Sequence, residues 1–89
     1  AGHGVGRALH EDPQVPNFGQ PGSGPVLQTG WCLAIEPILM LGGDDVVTSS
    51  DGWTVRTADG QLAAHFEHSI AITDGACRIL TLTSAGEWP

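Results

Sequence analysis

The chain has 89 residues and a formal net charge of −7, with three Arg and no Lys. This balance opposes binding to nucleic-acid phosphates or anionic membranes through this segment, because both need clusters of basic side chains. The length allows at most one small domain. No apolar run approaches the roughly 20 residues of a membrane span, and the first residues lack the basic and apolar regions of a secretion signal.

The first segment, Gly-His-Gly-Val-Gly-Arg at residues 2–7, alternates glycine with larger side chains. In an extended segment His3, Val5 and Arg7 share one side, and the glycines allow close approach of a backbone or ligand. A flexible tail is the alternative, and a phosphate loop is disfavoured because its Lys and Ser/Thr are missing. His10 follows in His-Glu-Asp-Pro, which lacks the second His of a zinc-protease helix and contains a helix breaker.

Residues 13–25 contain four prolines and three glycines. This composition predicts a loop stiffened by proline rather than a flexible linker. Val15 and Phe18 are its large apolar side chains, and we expect both of them to anchor the loop to the body of the protein.

Residues 26–40 form the next apolar segment and predict a buried strand that ends near Pro37. Alternation places Glu36 on the same face as Cys32 and Ala34. A carboxylate on a buried face is costly unless it is paired or binds a cation. Glu36 is therefore either a surface residue of an edge strand or a candidate ligand.

Three Asp-Gly pairs, each followed by an apolar or polar run typical of a strand, predict tight turns at residues 51–52, 59–60 and 74–75. The first turn leads into a short predicted strand at residues 53–57. The third leads into a last strand at residues 78–83, and residues 84–89 are expected to form a tail. The aspartates of these turns are turn formers in the first place.

Residues 64–73 predict a strand with two chemically different faces. One face suits a core and carries Phe66, His68, Ile70 and Ile72. The other face carries a second carboxylate among small side chains, and its members are His65, Glu67, Ser69 and Ala71. A short helix over residues 61–68 is the alternative. The chain as a whole is predicted to be mostly antiparallel β, with about five strands.

The candidate catalytic or metal-binding residues are His3, His10, Glu36 and Glu67. His65 and His68 are further candidates with less support. His with several carboxylates is a ligand set suited to Mn, Fe, Co or Zn in an open catalytic site. Carboxylates can also bridge two metal ions. Cys32 and Cys77 are too few and too far apart for a zinc knuckle, and we expect free thiols rather than a disulfide.

Five motifs, in this order and spacing, resemble type I methionine aminopeptidase. They are Gly-His-Gly-Val-Gly-Arg at residues 2–7, His-Glu-Asp-Pro-Gln-Val-Pro at 10–16, the run ending Leu-Ala-Ile-Glu-Pro at 30–37, Asp-Gly-Trp-Thr-Val at 51–55 and His-Phe-Glu-His at 65–68. Each motif alone is short, but together they cover nearly the whole chain. The resemblance implies an α+β pita-bread fold, of which residues 1–89 form one C-terminal portion that is mostly antiparallel β with little helix.

The same resemblance implies a site with two divalent metal ions (Mn, Fe, Co or Zn). It assigns His3 as a ligand of one metal, Glu36 as a ligand that also takes the proton of the nucleophile, and Glu67 as a bridge between both metals. It assigns His10 to the scissile amide of a peptide with N-terminal methionine. Leu9 and Trp53 fall where the family lines its methionine pocket. The implied location is the cytoplasm, where nascent chains lose their first residue.

The sequence lacks the two Asp ligands and the further active-site His that the family carries in its N-terminal half. It also lacks an initiator Met, so we expect a processed, truncated or excised piece, inactive on its own and completed by the missing half. The alternatives are a non-catalytic binding module that has lost the Asp ligands and a related peptidase specific for X-Pro bonds. Testing Met-Ala against X-Pro substrates separates the last alternative.

Overall fold

The structure, a computed structural model, describes residues 1–87. Within that range the chain forms short strands and no helix. Accordingly, no stretch of the described residues forms a helix that is long and apolar enough to cross a bilayer. The strands in chain order are β1 (Gly2–Gly4), β2 (Glu11–Val15), β3 (Cys32–Ile35), β4 (Ile38–Met40), β5 (Val46–Thr48), β6 (Val55–Thr57), β7 (Ala63–His65), β8 (His68–Thr73) and β9 (Ala76–Ile79).

Five of these strands form an antiparallel sheet in the order β2-β1-β3-β8-β9. The hairpin between β8 and β9 turns at Asp74 and Gly75, as the sequence predicts, and Gly75 has a φ of +74°. A positive φ is the conformation that Asp-Gly hairpin turns require and that glycine adopts without strain. Two further pairs, β4 with β7 and β5 with β6, form separate two-stranded ladders.

The two long predicted strands are each broken into two. The segment at residues 26–40 gives β3 and β4, and the segment at residues 64–73 gives β7 and β8. Pro37 lies in the first break and has no N–H to donate, so a continuous ladder is not possible there. The N–H of Phe66 still donates a hydrogen bond to the carbonyl oxygen of Pro37 at 3.1 Å. This bond lies within the break and keeps the same register on both sides of it.

The predicted proline-rich loop starts later than residue 13. Residues 11–15 form β2, at the edge of the sheet, and Pro13 is tolerated there because an edge strand need not donate every N–H. The prediction that Phe18 anchors this loop is wrong, since Phe18 is 86% exposed. The helix considered for residues 61–68 is also wrong, because this segment contains β7 and the start of β8.

The last elements are shifted relative to the sequence prediction. The final strand, β9, begins at Ala76 and ends at Ile79 instead of covering residues 78–83. The strand predicted at residues 53–57 begins only at Val55. Residues 84–87 of the predicted tail contain no strand, and residues 88–89 lie outside the described residues. The antiparallel β character is confirmed, while the helical part of the α+β prediction has no counterpart in residues 1–87.

The core is small. Leu33 and Ala34 on β3 are each 2% exposed, and His68 at the start of β8 is 6% exposed. The chain exposes 7049 Å², whereas a compact protein of this mass exposes about 4,900 Å². Its radius of gyration is 15.3 Å, against about 12 Å for a compact domain of this length. The chain therefore exposes more surface than a compact domain of its size, and its exposed side chains include large apolar ones such as Leu41 and Leu80.

We expect the 89-residue chain on its own to self-associate. Leu39, Leu41 and Leu62 are 63%, 75% and 74% exposed and line one open depression, and large exposed apolar patches drive association. Static light scattering at two concentrations measures the mass of the particles. Replacing Leu39→Glu should lower that mass, and a parent chain that is monomeric and monodisperse at both concentrations would contradict the expectation.

Candidate metal centre

His3 lies at the middle of β1, with β2 on one side and β3 on the other. The flanking Gly2 and Gly4 allow this close packing, because a Cβ on either would collide with a backbone oxygen, of Ala34 and of Asp12 respectively. The pairing with β2 slips between His3 and Gly4, which forms a bulge. Bulges turn a side chain away from the regular direction of its strand.

The imidazole of His3 is oriented by its own backbone neighbour. Its Nδ1 lies 2.8 Å from the carbonyl oxygen of Gly4. A carbonyl only accepts hydrogen bonds, so Nδ1 is the donor and Nε2 is the atom directed toward the site. A metal-binding His commonly donates its other N–H to such a carbonyl, which fixes the ring and its tautomer.

Glu36 and Glu67 lie opposite each other in the break between the two ladders. The pairs Ile35–His68 and Ile38–His65 have the same register on both sides of the break. Continued through the break, that register places Glu36 across from Glu67, and both residues lie outside the strands on either side. The break therefore brings two carboxylates together from segments that are far apart in the sequence.

Three predicted ligands meet at this point. One ligand atom from each of His3, Glu36 and Glu67 lies within 4.8 Å of the other two, and no other group of three such side chains does so in residues 1–87. His3 Nε2 is 2.9 Å from Glu36 Oε2. Two ligands at right angles on one ion, each at about 2.1 Å, are themselves about 3 Å apart. The donor set and spacing therefore fit a divalent metal ion.

His65 contacts the same glutamate from the other side. Its Nε2 lies 3.3 Å from Glu36 Oε1, and its side chain is 49% exposed. His68 has a different environment, because it is buried and its Nδ1 lies 2.7 Å from Thr81 Oγ1. Neither belongs to the three-residue ligand group, in keeping with their lower rank as ligands in the sequence.

His10 lies next to the ligand group rather than in it. Its ring centroid is 4.3 Å from that of His3, with the ring planes tilted by 52°. Both rings line an open cleft of about 630 Å³ together with Glu11 and Gln14. His10 is exposed and so is accessible to a molecule that enters this cleft.

The predicted pocket residues Leu9 and Trp53 are both strongly exposed, by 73% and 88%. Leu9 lies between β1 and β2, and Trp53 lies in the connection between β5 and β6. Their role in binding methionine stays a prediction.

Two aspartates hold the connections on either side of β6. Asp51 accepts hydrogen bonds from the hydroxyl of Thr54 and from the N–H groups of Trp53 and Thr54. These bonds, the hydroxyl first, lower the pKa of Asp51. The pKa of Asp59 is lowered in the same way, first by the N–H of Gln61. Both carboxylates serve their turns, as the sequence predicts.

Asn17 is a site residue that sequence reasoning missed. Its side-chain Nδ2 donates to the backbone oxygen of Glu36 at 3.1 Å. This bond joins the proline-rich loop to the ladder break, so Asn17 anchors the loop in the way that the sequence predicts for Phe18. No local pattern marks it, because the contact joins residues 19 positions apart.

The model of metallopeptidase family M24 matches residues 1–74. The chain therefore belongs to metallopeptidase family M24.

Among its relatives, the methionine aminopeptidase of Clostridium perfringens is 58% identical over 81 residues, which is 91% of this chain and 32% of the relative. Methionine aminopeptidase 1 of Mycobacterium tuberculosis is also 58% identical, over 91% of this chain and 30% of its own length. The crystal structure of methionine aminopeptidase from Thermotoga maritima matches with a TM-score of 0.87 and 59% identity, over 90% of this chain and 32% of that one. The chain spans about a third of the length of these relatives.

Proposed function

We propose that this chain supplies part of the dinuclear metal centre of a methionine aminopeptidase, which removes the N-terminal methionine of nascent proteins. The observation that carries the proposal is the convergence of His3, Glu36 and Glu67. Their mixed nitrogen and carboxylate donors suit Mn, Fe, Co or Zn. The relatives with 58% identity carry the name of this activity.

In the proposed reaction the metal ions would polarise the scissile carbonyl and lower the pKa of water. Beside ligation, Glu36 takes the proton of the attacking water, a role open to a carboxylate that faces the ligand group on a side chain only 16% exposed. His10 lies beside His3 at the open cleft and donates a hydrogen bond to the scissile amide. Glu67, across the ladder break from Glu36, would be a ligand of both ions.

The methionine side chain is bound against Leu9 and Trp53. Both are large, apolar and exposed, so they offer surface that a methionine side chain can cover. Trp53 is well suited because its N–H and that of Thr54 are fixed by Asp51. Sulfur also packs favourably against aromatic rings.

The whole enzyme has an α+β pita-bread fold, and residues 1–89 form one C-terminal portion of its catalytic domain. A remaining N-terminal part supplies two Asp ligands and covers the apolar surface. The accessible surface of 7049 Å² and the match to only about a third of each relative support this arrangement. The enzyme acts in the cytoplasm on peptides, and the net charge of −7 gives this segment no role in binding nucleic acid or membranes.

A non-catalytic binding module is the second candidate. It is favoured by the large exposed apolar surface, which suits a partner chain. Co-purification of this chain with a polypeptide that carries the Asp pair would favour the enzyme. Co-purification only with other proteins would favour the module.

The proposed aminopeptidase activity is tested with a chimaera, in which residues 2–83 of this chain replace the matching third of the Clostridium perfringens relative. We expect the chimaera with Mn²⁺ to release methionine from Met-Ala-Ser, because the ligand set is then complete. The 89-residue chain alone should show negligible turnover. Released methionine is measured by liquid chromatography.

The unmodified relative serves as the positive control for folding and metal loading. A folded chimaera that binds Mn²⁺ but leaves Met-Ala-Ser intact would refute the proposed activity. Cleavage of X-Pro peptides in place of Met-Ala-Ser would assign the chain to a proline-specific peptidase. Robust turnover by the 89-residue chain alone would refute the need for further ligands.

A further inference from the structure

Glu36 is contacted at both of its carboxylate oxygens, by a different imidazole at each. His3 Nε2 lies 2.9 Å from Oε2, and His65 Nε2 lies 3.3 Å from Oε1. Only the first of these imidazoles belongs to the ligand group with Glu67. The second contact therefore lies outside the ligand group.

The hydrogen-bonding role of His65 follows from the atom that its Nε2 faces. A carboxylate oxygen accepts hydrogen bonds and does not donate them, so a favourable contact requires a hydrogen on Nε2. The side chain of His65 is 49% exposed, against 16% for Glu36. A contact that is half open to solvent contributes little to stability, which points to orientation of the carboxylate as its effect.

The backbone holds His65 in place for this contact. His65 is the last residue of β7 and pairs with Ile38 at the first position of β4. The next residue, Phe66, donates its N–H to Pro37 at 3.1 Å. His65 is therefore fixed at the edge of the same break that contains Glu36.

Rotation of the carboxylate is the motion that such a contact would restrict. The terminal torsion of Glu is broad and has two nearly equivalent positions. With Oε1 engaged by His65, Oε2 is the oxygen directed toward His3. Without His65, Glu36 is free to turn or to present both oxygens to one ion.

We propose that His65 is a positioning residue, whose Nε2–H donates to Glu36 Oε1 and thereby holds Oε2 toward the metal ion beside His3. The inference rests on the proposed metal centre. It concerns the orientation of one ligand and adds no new ligand. Partners that orient a ligand in this way typically change metal affinity by about 10- to 100-fold.

The test compares His65→Gln, His65→Asn and His65→Ala with the parent, both in the full chain and in the chimaera. The amide nitrogen of Gln lies about as far from the backbone as Nε2 of His, whereas the amide nitrogen of Asn lies closer to the backbone. We expect Ala and Asn to weaken Mn²⁺ binding by about tenfold and Gln to retain the affinity of the parent. Affinity is measured by calorimetry.

A second measurement reports on the ligands directly. The visible absorption of bound Co²⁺ depends on the number and arrangement of its ligands, so the spectrum should change in the Ala and Asn variants and be restored in the Gln variant. A purely structural role of His65 would alter stability and leave the spectrum of the bound ion unchanged. Circular dichroism of each variant confirms that the strands are intact.

Three results would overturn the inference. Parent-like Mn²⁺ affinity and Co²⁺ spectrum in His65→Ala would remove the positioning role and leave the proposed function standing. A Gln variant as weak as the Ala variant would show that an N–H donor at this distance is not what matters. Failure of both the parent chain and the chimaera to bind Mn²⁺ would refute the metal centre itself, and the inference with it.

Discussion

Replacing Glu67→Ala is expected to abolish tight binding of Mn²⁺ or Co²⁺ to this chain. Glu67 supplies one of three ligand atoms that lie within 4.8 Å of one another, and the other two come from His3 and Glu36. Loss of a ligand should weaken affinity by more than the roughly 10- to 100-fold typical of a residue outside the ligand set. Calorimetric titration of the metal into parent and variant measures the change.

The matched control is Glu87→Ala, which removes the same charge from an exposed position outside the ligand group. Because both hydrogen bonds of Glu87 with Thr83 use its backbone N–H and carbonyl oxygen, replacing the side chain should leave metal affinity at the parent value. Unchanged binding in the Glu67 variant would contradict the assigned ligand group. Equal weakening by both variants would show that the loss reflects net charge rather than coordination.

The face on which each candidate glutamate lies could be predicted, because the two-residue alternation of a strand does not depend on the rest of the fold. Placing Glu36 on the face of Ala34, and Glu67 on the face of Ser69, required only the two-residue period of a strand. The structure pairs Ala34 with Ser69, so the two predicted faces belong to one surface of the sheet. His3 is paired with Ala34 from the other side and completes this surface.

The break between the ladders was not predicted, although it creates the site. The sequence predicts that a strand ends near Pro37, whereas β4 begins directly after it at Ile38. The pairing with β7 decides this outcome, and such a long-range pairing leaves no signal in a local window of sequence. Alternation alone also gives no information on Asn17 or on the contact of His65 with Glu36.

The extent of burial was also beyond the sequence prediction. An apolar face such as that of Phe66 and Ile70 indicates a core, but it does not say whether the covering element belongs to the same chain. Phe66 is in fact 50% exposed. Residues 1–87 therefore bring three candidate ligands together while leaving much of the expected core open to solvent.

The activity of the chimaera should depend most strongly on Glu36. Replacing Glu36→Gln keeps the size of the side chain and one oxygen, but removes the carboxylate that takes the proton. General-base contributions are typically about 100- to 10,000-fold, and we expect kcat on Met-Ala-Ser to fall within that range. Measuring kcat at saturating Mn²⁺ separates proton transfer from the weaker metal binding that the same variant should show.

Glu11→Gln is the matched control for this variant. Glu11 is also a carboxylate and lines the cleft beside His10, but it lies outside the ligand group. The kcat of the Glu11→Gln chimaera should therefore stay close to that of the unsubstituted chimaera. If Glu36→Gln retained full kcat at saturating metal, Glu36 would be a ligand alone, and another group would have to take the proton. If Glu11→Gln lost as much activity as Glu36→Gln, the base would lie in the cleft rather than at the ladder break.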